Sequence, residues 1–127
     1  MLILKTDSDV RKMRKAGLIA GRALHEAGRA VAPGVNTLEL DRIIESYIRS
    51  HGARPSFKGY GGFPGSACIS VNDVVIHGIP SKKIVLKEGD IVSIDVGAYL
   101  DGFHGDTAYT FPVGNVSEQA AQLMRVT

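Results

Sequence analysis

Apolar positions recur at spacings of three and four through Val10, Met13, Gly17, Ala20, Leu24, Ala27 and Val31, the period of one buried helix face. The opposite face carries Arg11, Lys15, Arg22, Glu26 and Arg29. Thr6 followed three residues later by Asp9 makes a capping-box pattern, and Ala32-Pro33-Gly34 stops the period, so the spacing predicts a helix from about residue 7 to about residue 31. Leu40, Ile43, Ile44, Tyr47 and Ile48 form a second such stripe, predicting a helix that starts at Asn36 or Thr37 and ends at His51-Gly52.

The pattern then changes. Residues 58–65 hold four glycines and a proline around Tyr60 and Phe63, which reads as a loop carrying two exposed aromatic rings. Short β-rich runs at 68–71 and 74–76 flank Asn72-Asp73 and predict a hairpin, with His77 at the end of its second strand and Gly78-Ile79-Pro80 closing the unit. After a linker at 81–88, β-rich runs at 91–99 and 103–111 flank Asp101-Gly102, the strongest hairpin signal in the chain. Ser117 then caps a last helical pattern that continues to Thr127 without a terminating Gly or Pro. That unterminated pattern suggests a chain that ends where a longer relative would continue.

Treating Asp101-Gly102 as the centre of a type I′ turn puts Leu100 opposite Phe103 and Asp95 opposite Ala108. Asp106 is two positions from Ala108, so Asp95 and Asp106 emerge on one face as diagonal neighbours roughly 7 Å apart. Val92, Ile94, Val96, Ala98, Phe103, Tyr109 and Phe111 fall on the other face and form the expected core surface. Two ionised carboxylates so placed repel, and a divalent cation relieves that repulsion; ions shared by carboxylates can activate water and polarise a carbonyl. Two solvated acids beside a turn would have the same pattern, so the spacing alone leaves both readings open. His104 shares the face of Asp106 and could add a ligand, although packing is the commoner fate of such a residue. His77 is better placed as a loop-borne donor or proton shuttle, with burial among apolar neighbours as the alternative. His25 and His51 lie in helical segments among polar residues and carry no such signal.

Composition narrows the class without changing this picture. The 127 residues are 44% hydrophobic and 22% charged, which suits one globular domain spanning 1–127. A net charge of +2 is too small for a dedicated nucleic-acid binder, whose phosphate contacts must supply most of its affinity, and no specific nucleic-acid binding is expected. The single cysteine, Cys68, excludes an intramolecular disulfide and a multi-cysteine zinc site, and fits a reducing, cytoplasmic compartment. The amino terminus lacks the apolar core of a signal peptide, and no stretch reaches the roughly 20 apolar residues that cross a bilayer.

The runs at 70–80 (SVNDVVIHGIP), 89–96 (GDIVSIDV) and 101–107 (DGFHGDT) closely resemble the type I methionine aminopeptidases. The resemblance covers essentially the whole chain, since the two opening helices, the Pro33-Gly34-Val35 break and the Gly/Tyr-rich loop follow in the family's order. It implies an α/β pita-bread fold, of which this chain would be the amino-terminal half: two helices packed on an antiparallel sheet. It further implies a dinuclear site for divalent metal ions, whether cobalt, manganese, iron or zinc, that removes the initiator methionine from nascent peptides. On that resemblance Asp95 would bind one metal through both oxygens, Asp106 would bridge two, and His77 would contact the scissile amide and assist proton transfer. Tyr60, Phe63 and Cys68 match positions lining the methionine pocket, and Ile76 stands where a cysteine is common.

Family members continue for about as long again, and the second half contributes a histidine and two glutamates as metal ligands, plus a second substrate-binding histidine. None has a counterpart here, so the resemblance implies that this chain alone binds metal weakly or not at all and is inactive or nearly so. An isolated half would also expose the surface that its partner covers, which predicts a homo-oligomer. Two other readings remain open: a non-catalytic peptide-binding or ribosome-associated module built on the Tyr60 loop and on Arg11, Lys12, Arg14 and Lys15, and a folding fragment with no role of its own.

Overall fold

Thr6 and Asp9 form the reciprocal cap that their spacing predicts: Thr6 Oγ1 accepts from Asp9 N at 3.2 Å, and Asp9 Oδ2 accepts from Thr6 N at 2.9 Å. In the computed structural model, which describes residues 1–127, this cap opens α1 (Asp7–Ala30). Asn36 caps α2 (Thr37–Ser50) by accepting from Glu39 N at 3.0 Å. Four strands follow, β1 (Arg54–Pro55), β2 (Ala67–Val71), β3 (Ile91–Leu100) and β4 (Phe103–Pro112), and then α3 (Glu118–Val126), capped by Ser117. A single 3₁₀ turn at Tyr60–Gly62 interrupts the glycine-rich loop.

β3 is the strand on which the sheet is assembled. β4 pairs along all of it, with Leu100 opposite Phe103 and Asp95 opposite Ala108. The other edge of β3 is shared antiparallel by β2, from Val92 to Val96, and by β1 at Ala98 and Tyr99. Asp101 and Gly102 have φ of +51° and +86°, the pair of left-handed conformations that a type I′ turn requires. The register of the second hairpin therefore follows from its turn.

The first hairpin differs from the prediction. Residues 74–76 form no strand, and β2 is paired with β3 alone. Asn72 turns the chain out of β2 at φ +53°, and its side chain donates to Asp90 Oδ1 at 2.9 Å and accepts from Ile91 N at 3.1 Å. The chain does return along β2, but through one backbone bond, from Ile69 N to Gly78 O. Val74, Val75 and Ile76 are left exposed, and His77 lies in a loop rather than at a strand end.

One sheet face carries the core. Val92, Ile94, Val96 and Ala98 of β3 and Ile69 of β2 pack beneath Ala20, Ala23, Leu24 and Ala27 of α1 and Leu40, Ile44 and Ile48 of α2. Alanines on α1 bring that helix close to the sheet. The closest approach is at Gly105, where an added Cβ would run into the backbone of Ala16 and Gly17, and Phe111 of β4 packs its ring against Gly28 in the same way. α1 thus runs beside β4, and Tyr109, assigned to the core by alternation, lines the shallow groove between them with its ring 60% exposed. The expected core surface is otherwise present, with Phe103 and Phe111 half-buried at its margin.

Gly105→Ala is expected to destabilise the fold by about 1–3 kcal/mol, the usual cost of overpacking. Gly17→Ala, on the open side of α1 with no atom near the new methyl, is expected to stabilise it by up to about 1 kcal/mol. Urea midpoints of the two variants against the parent check both signs; a neutral Gly105→Ala would contradict the close helix–strand approach.

Candidate active site

The face of the sheet away from α1 and α2 carries Cys68 and Asp95 as directly opposed residues of β2 and β3, and Asp106 of β4 opposite Gly97. Asp95 and Asp106 are therefore diagonal neighbours, because each lies two residues from the other's partner. Gly97 is what keeps this face open to the loop above it: a Cβ there would lie 2.7 Å from the Phe57 ring and 2.8 Å from Ser56 Cβ. A glycine inside a strand pattern signals such an approach, and it is the cue to this residue that the chain offers.

Over this floor the loops enclose a cleft of about 610 Å³. Asp95 and Asp106 lie in its wall together with His77, Tyr60, Phe63 and Cys68, so the six predicted site residues, 46 positions apart at the extremes, come together in one place. Tyr60 is 83% exposed at the rim, whereas Phe63, expected to be exposed, is half-buried. His77 reaches the cleft from a left-handed backbone at φ +58°, followed by Gly78, whose missing side chain lets the chain lie on the backbone of Ile69. His104 turns aside instead: its Nδ1 is 2.8 Å from Ser56 Oγ and its ring lies against Tyr99, with centroids 4.6 Å apart.

Two polar residues that periodicity does not single out hold the loop. Asp41 on α2 is buried, and its Oδ1 accepts from Ser66 N at 2.8 Å and Ala67 N at 2.9 Å, fixing the start of β2. Burial pushes its carboxyl above the ordinary value, and the two N–H groups pull it back. Glu45, one turn along, accepts from Lys58 Nζ at 2.6 Å and Arg49 Nε at 2.8 Å. The lysine contact, more than any other, holds the Glu45 carboxyl at about 2.

The electrostatics of the two acids are unbalanced. Burial first, and the charge of Asp106 second, push the Asp95 carboxyl up, while His77 pulls it down. Asp95 Oδ1 is buried without any hydrogen-bond partner. A buried, unpartnered carboxylate oxygen beside a second carboxylate is a donor pair that fits one side of a hard or borderline divalent cation. The donor set stops there, since no His, Cys, Asp or Glu completes a group of three. Burial and the neighbouring Asp95 raise the Cys68 thiol, which makes it an apolar wall of the cleft rather than a nucleophile.

Comparison with known proteins shows the family and the fold of the chain. The model of metallopeptidase family M24 matches residues 11–127. A methionine aminopeptidase of Clostridium acetobutylicum is 54% identical over all 127 residues, which cover 51% of that relative. The crystal structure of methionine aminopeptidase from Rickettsia prowazekii superposes with a TM-score of 0.96 at 44% identity, again over 100% of this chain and 51% of the other. A Xaa-Pro dipeptidase from Bacillus anthracis shares the fold at lower similarity, with a TM-score of 0.80, 30% identity, and coverage of 94% of this chain and 32% of that one. The chain thus spans about half the length of the methionine aminopeptidases it matches.

A folded-state carboxyl held below its unfolded value of 4.5 stabilises the fold above that value and loses the contribution as pH falls toward 2. The Glu45–Lys58 tie is therefore expected to persist at pH 5 and to release between about 4.5 and 2. Lys58→Met should imitate release at neutral pH, speeding amide exchange at Gly59, which donates to Phe63 O at 2.8 Å, while α2 exchange is unchanged. Equal Gly59 exchange in parent and variant would show that the lysine does not hold the loop.

Proposed function

The chain belongs to metallopeptidase family M24 and has its pita-bread architecture, and from that premise we propose that it is the amino-terminal half of a methionine aminopeptidase of type I, carrying one wall of the active site. The observation that carries this reading is the unpartnered Oδ1 of Asp95 beside Asp106, at the floor of a cleft whose other residues include Tyr60, Phe63, Cys68 and His77.

In this reading Asp95 and Asp106 would hold divalent metal, which when bound supplies a Lewis acid and an activated water. Two further roles fall to side chains of this chain. Tyr60, Phe63 and the protonated Cys68 offer an apolar recess to a methionine side chain, and Cys68, directly across the ladder from Asp95, sets the recess beside the acids. His77, on a turn fixed by the Gly78 contact and by Gly78 N donating to Ser70 Oγ at 3.0 Å, would present its imidazole to the scissile amide and move a proton there. A preset backbone saves the reaction the cost of ordering that ring.

Two carboxylates make up only part of a catalytic coordination shell, so the chain alone would hold metal weakly and be inactive or nearly so. Three residues of the proposed recess, Tyr60, Phe63 and Cys68, lie within it, and peptide binding without turnover is the property this half would retain.

Methionine release from a Met-Ala-Ser peptide, with manganese or cobalt added, is expected to stay at the buffer background. Release by the parent protein that Asp106→Ala abolishes would show that this chain builds a working site and would contradict the proposed inactivity.

A further inference from the structure

The two edges of the sheet are protected unequally. On one side β1 is two residues long and ends in Pro55, and β2 carries Gly78 against its free edge, where Gly78 O accepts from Ile69 N at 2.9 Å. Short strands, proline and a covering loop are common means of closing a sheet edge to other chains. The opposite edge, β4, has none of them. It runs for ten residues, pairs with β3 at every position from Phe103 to Pro112 without a bulge, contains no lysine or arginine, and has its one proline at the last position.

The backbone along that edge is unpaired. Leu100 and Phe103 close the type I′ turn as a hydrogen-bonded pair, so the odd-numbered residues of β4 face β3. The phase continues to Val113, which donates to Asp90 O at 2.9 Å. His104, Asp106, Ala108 and Thr110 consequently turn their N–H and C=O groups outward, and no other segment of the chain bonds to them. Beside this row stands the exposed Tyr109, which meets Phe111 edge-on with ring centroids 5.0 Å apart. Main-chain bonds along a free edge supply affinity in strand addition, and an exposed aromatic ring next to them supplies an anchor.

We propose that β4 is an interface between two copies of this chain, paired antiparallel about a two-fold axis at Thr107, so that two four-stranded sheets join into one. The relatives that the chain matches are about twice its length, and this chain has no further strand of its own to lay on β4. A second copy suits the edge because the strand is complementary to itself in this register. Tyr109 faces Gly105 of the second copy, where the opposing strand has no side chain, and the exposed Gly17 beside it leaves room for the ring. Asp106 faces Ala108 and His104 faces Thr110, so no like charges are directly opposed. An axis at Asp106 would set the two Asp106 carboxylates face to face, and an axis at Ala108 would bring Pro112, which has no N–H, into the ladder. With the axis at Thr107 the four outward residues of each copy exchange about eight backbone hydrogen bonds. The two Asp106 side chains then become diagonal neighbours, the relation that Asp95 and Asp106 have within one chain, so each copy adds an acid to the other's row. The pairing rests on the sheet and not on the activity assigned to the cleft.

Sedimentation velocity from micromolar to millimolar protein measures the pairing, and the parent is expected to pass from monomer to dimer across that range. Ala108→Pro removes one outward N–H and no bond to β3, and is expected to weaken the dimer roughly tenfold or more with far-ultraviolet circular dichroism unchanged. Val75→Lys, in the exposed apolar loop at 74–76, should leave the dimer as in the parent. Amide exchange of the parent locates the interface without any variant. His104, Asp106, Ala108 and Thr110 have no acceptor within the chain, so their amides should exchange fast in dilute protein and slow roughly tenfold or more as concentration rises. A parent that stays monomeric, open-ended assembly beyond the dimer, weakening by Val75→Lys and not by Ala108→Pro, or concentration-dependent protection confined to α3 or to residues 74–80 would overturn the proposal.

Discussion

The separation of the two faces of the β3–β4 hairpin is the constraint on which the rest of the structure depends. Side-chain direction alternates strictly along a strand, so the register that places Val92, Ile94, Val96 and Ala98 under the helices also sends Asp95 to the other side. A slip of one residue would bury the acid and expose the core. The type I′ turn at Asp101-Gly102 prevents that slip, since its length fixes which residues oppose one another. Two glycines complete the device, one on each face: Gly105 admits α1 to the core side, and Gly97 admits Phe57 and Ser56 to the cleft side.

Much of this was legible in the chain. The capping pair Thr6 and Asp9, the two helical stripes, the register through Leu100 and Phe103 and the diagonal placement of the acids are local consequences of spacing, and each is present. What was misread depended on competition between distant segments. Residues 74–76 have the composition of a strand, but the Asn72 side chain, tied to Asp90 and Ile91 18 and 19 residues further on, turns the chain away from the free edge of β2. Tyr109 alternates correctly toward the core side, yet it stands on an edge strand beside α1 rather than beneath it. No periodicity could place a residue relative to the side of a helix that crosses it.

The polar scaffolding of the cleft was the least legible part. Asp41 and Glu45 look like ordinary polar positions of an amphipathic helix, and their partners, Ser66, Ala67 and Lys58, lie 13 to 26 residues further along the chain. Such contacts exist only once the helix and the loop are side by side. They are nonetheless what sets Tyr60 and Phe63 over the acids, so the recess inherits its shape from α2 as well as from the sheet.

Asp95 then concentrates the chemical question in one atom. Its Oδ1 is buried and unpartnered beside a second carboxylate, an arrangement that costs stability unless a proton or a cation occupies it. Manganese titration followed by electron paramagnetic resonance, on the parent chain and on Asp95→Asn and Asp106→Asn, reads this directly. Weak manganese binding by the parent and its loss in both variants are expected, with far-ultraviolet circular dichroism unchanged. Manganese uptake that survives both substitutions, or none in the folded parent, would contradict the assignment of these two acids as the part of the metal site that this chain carries.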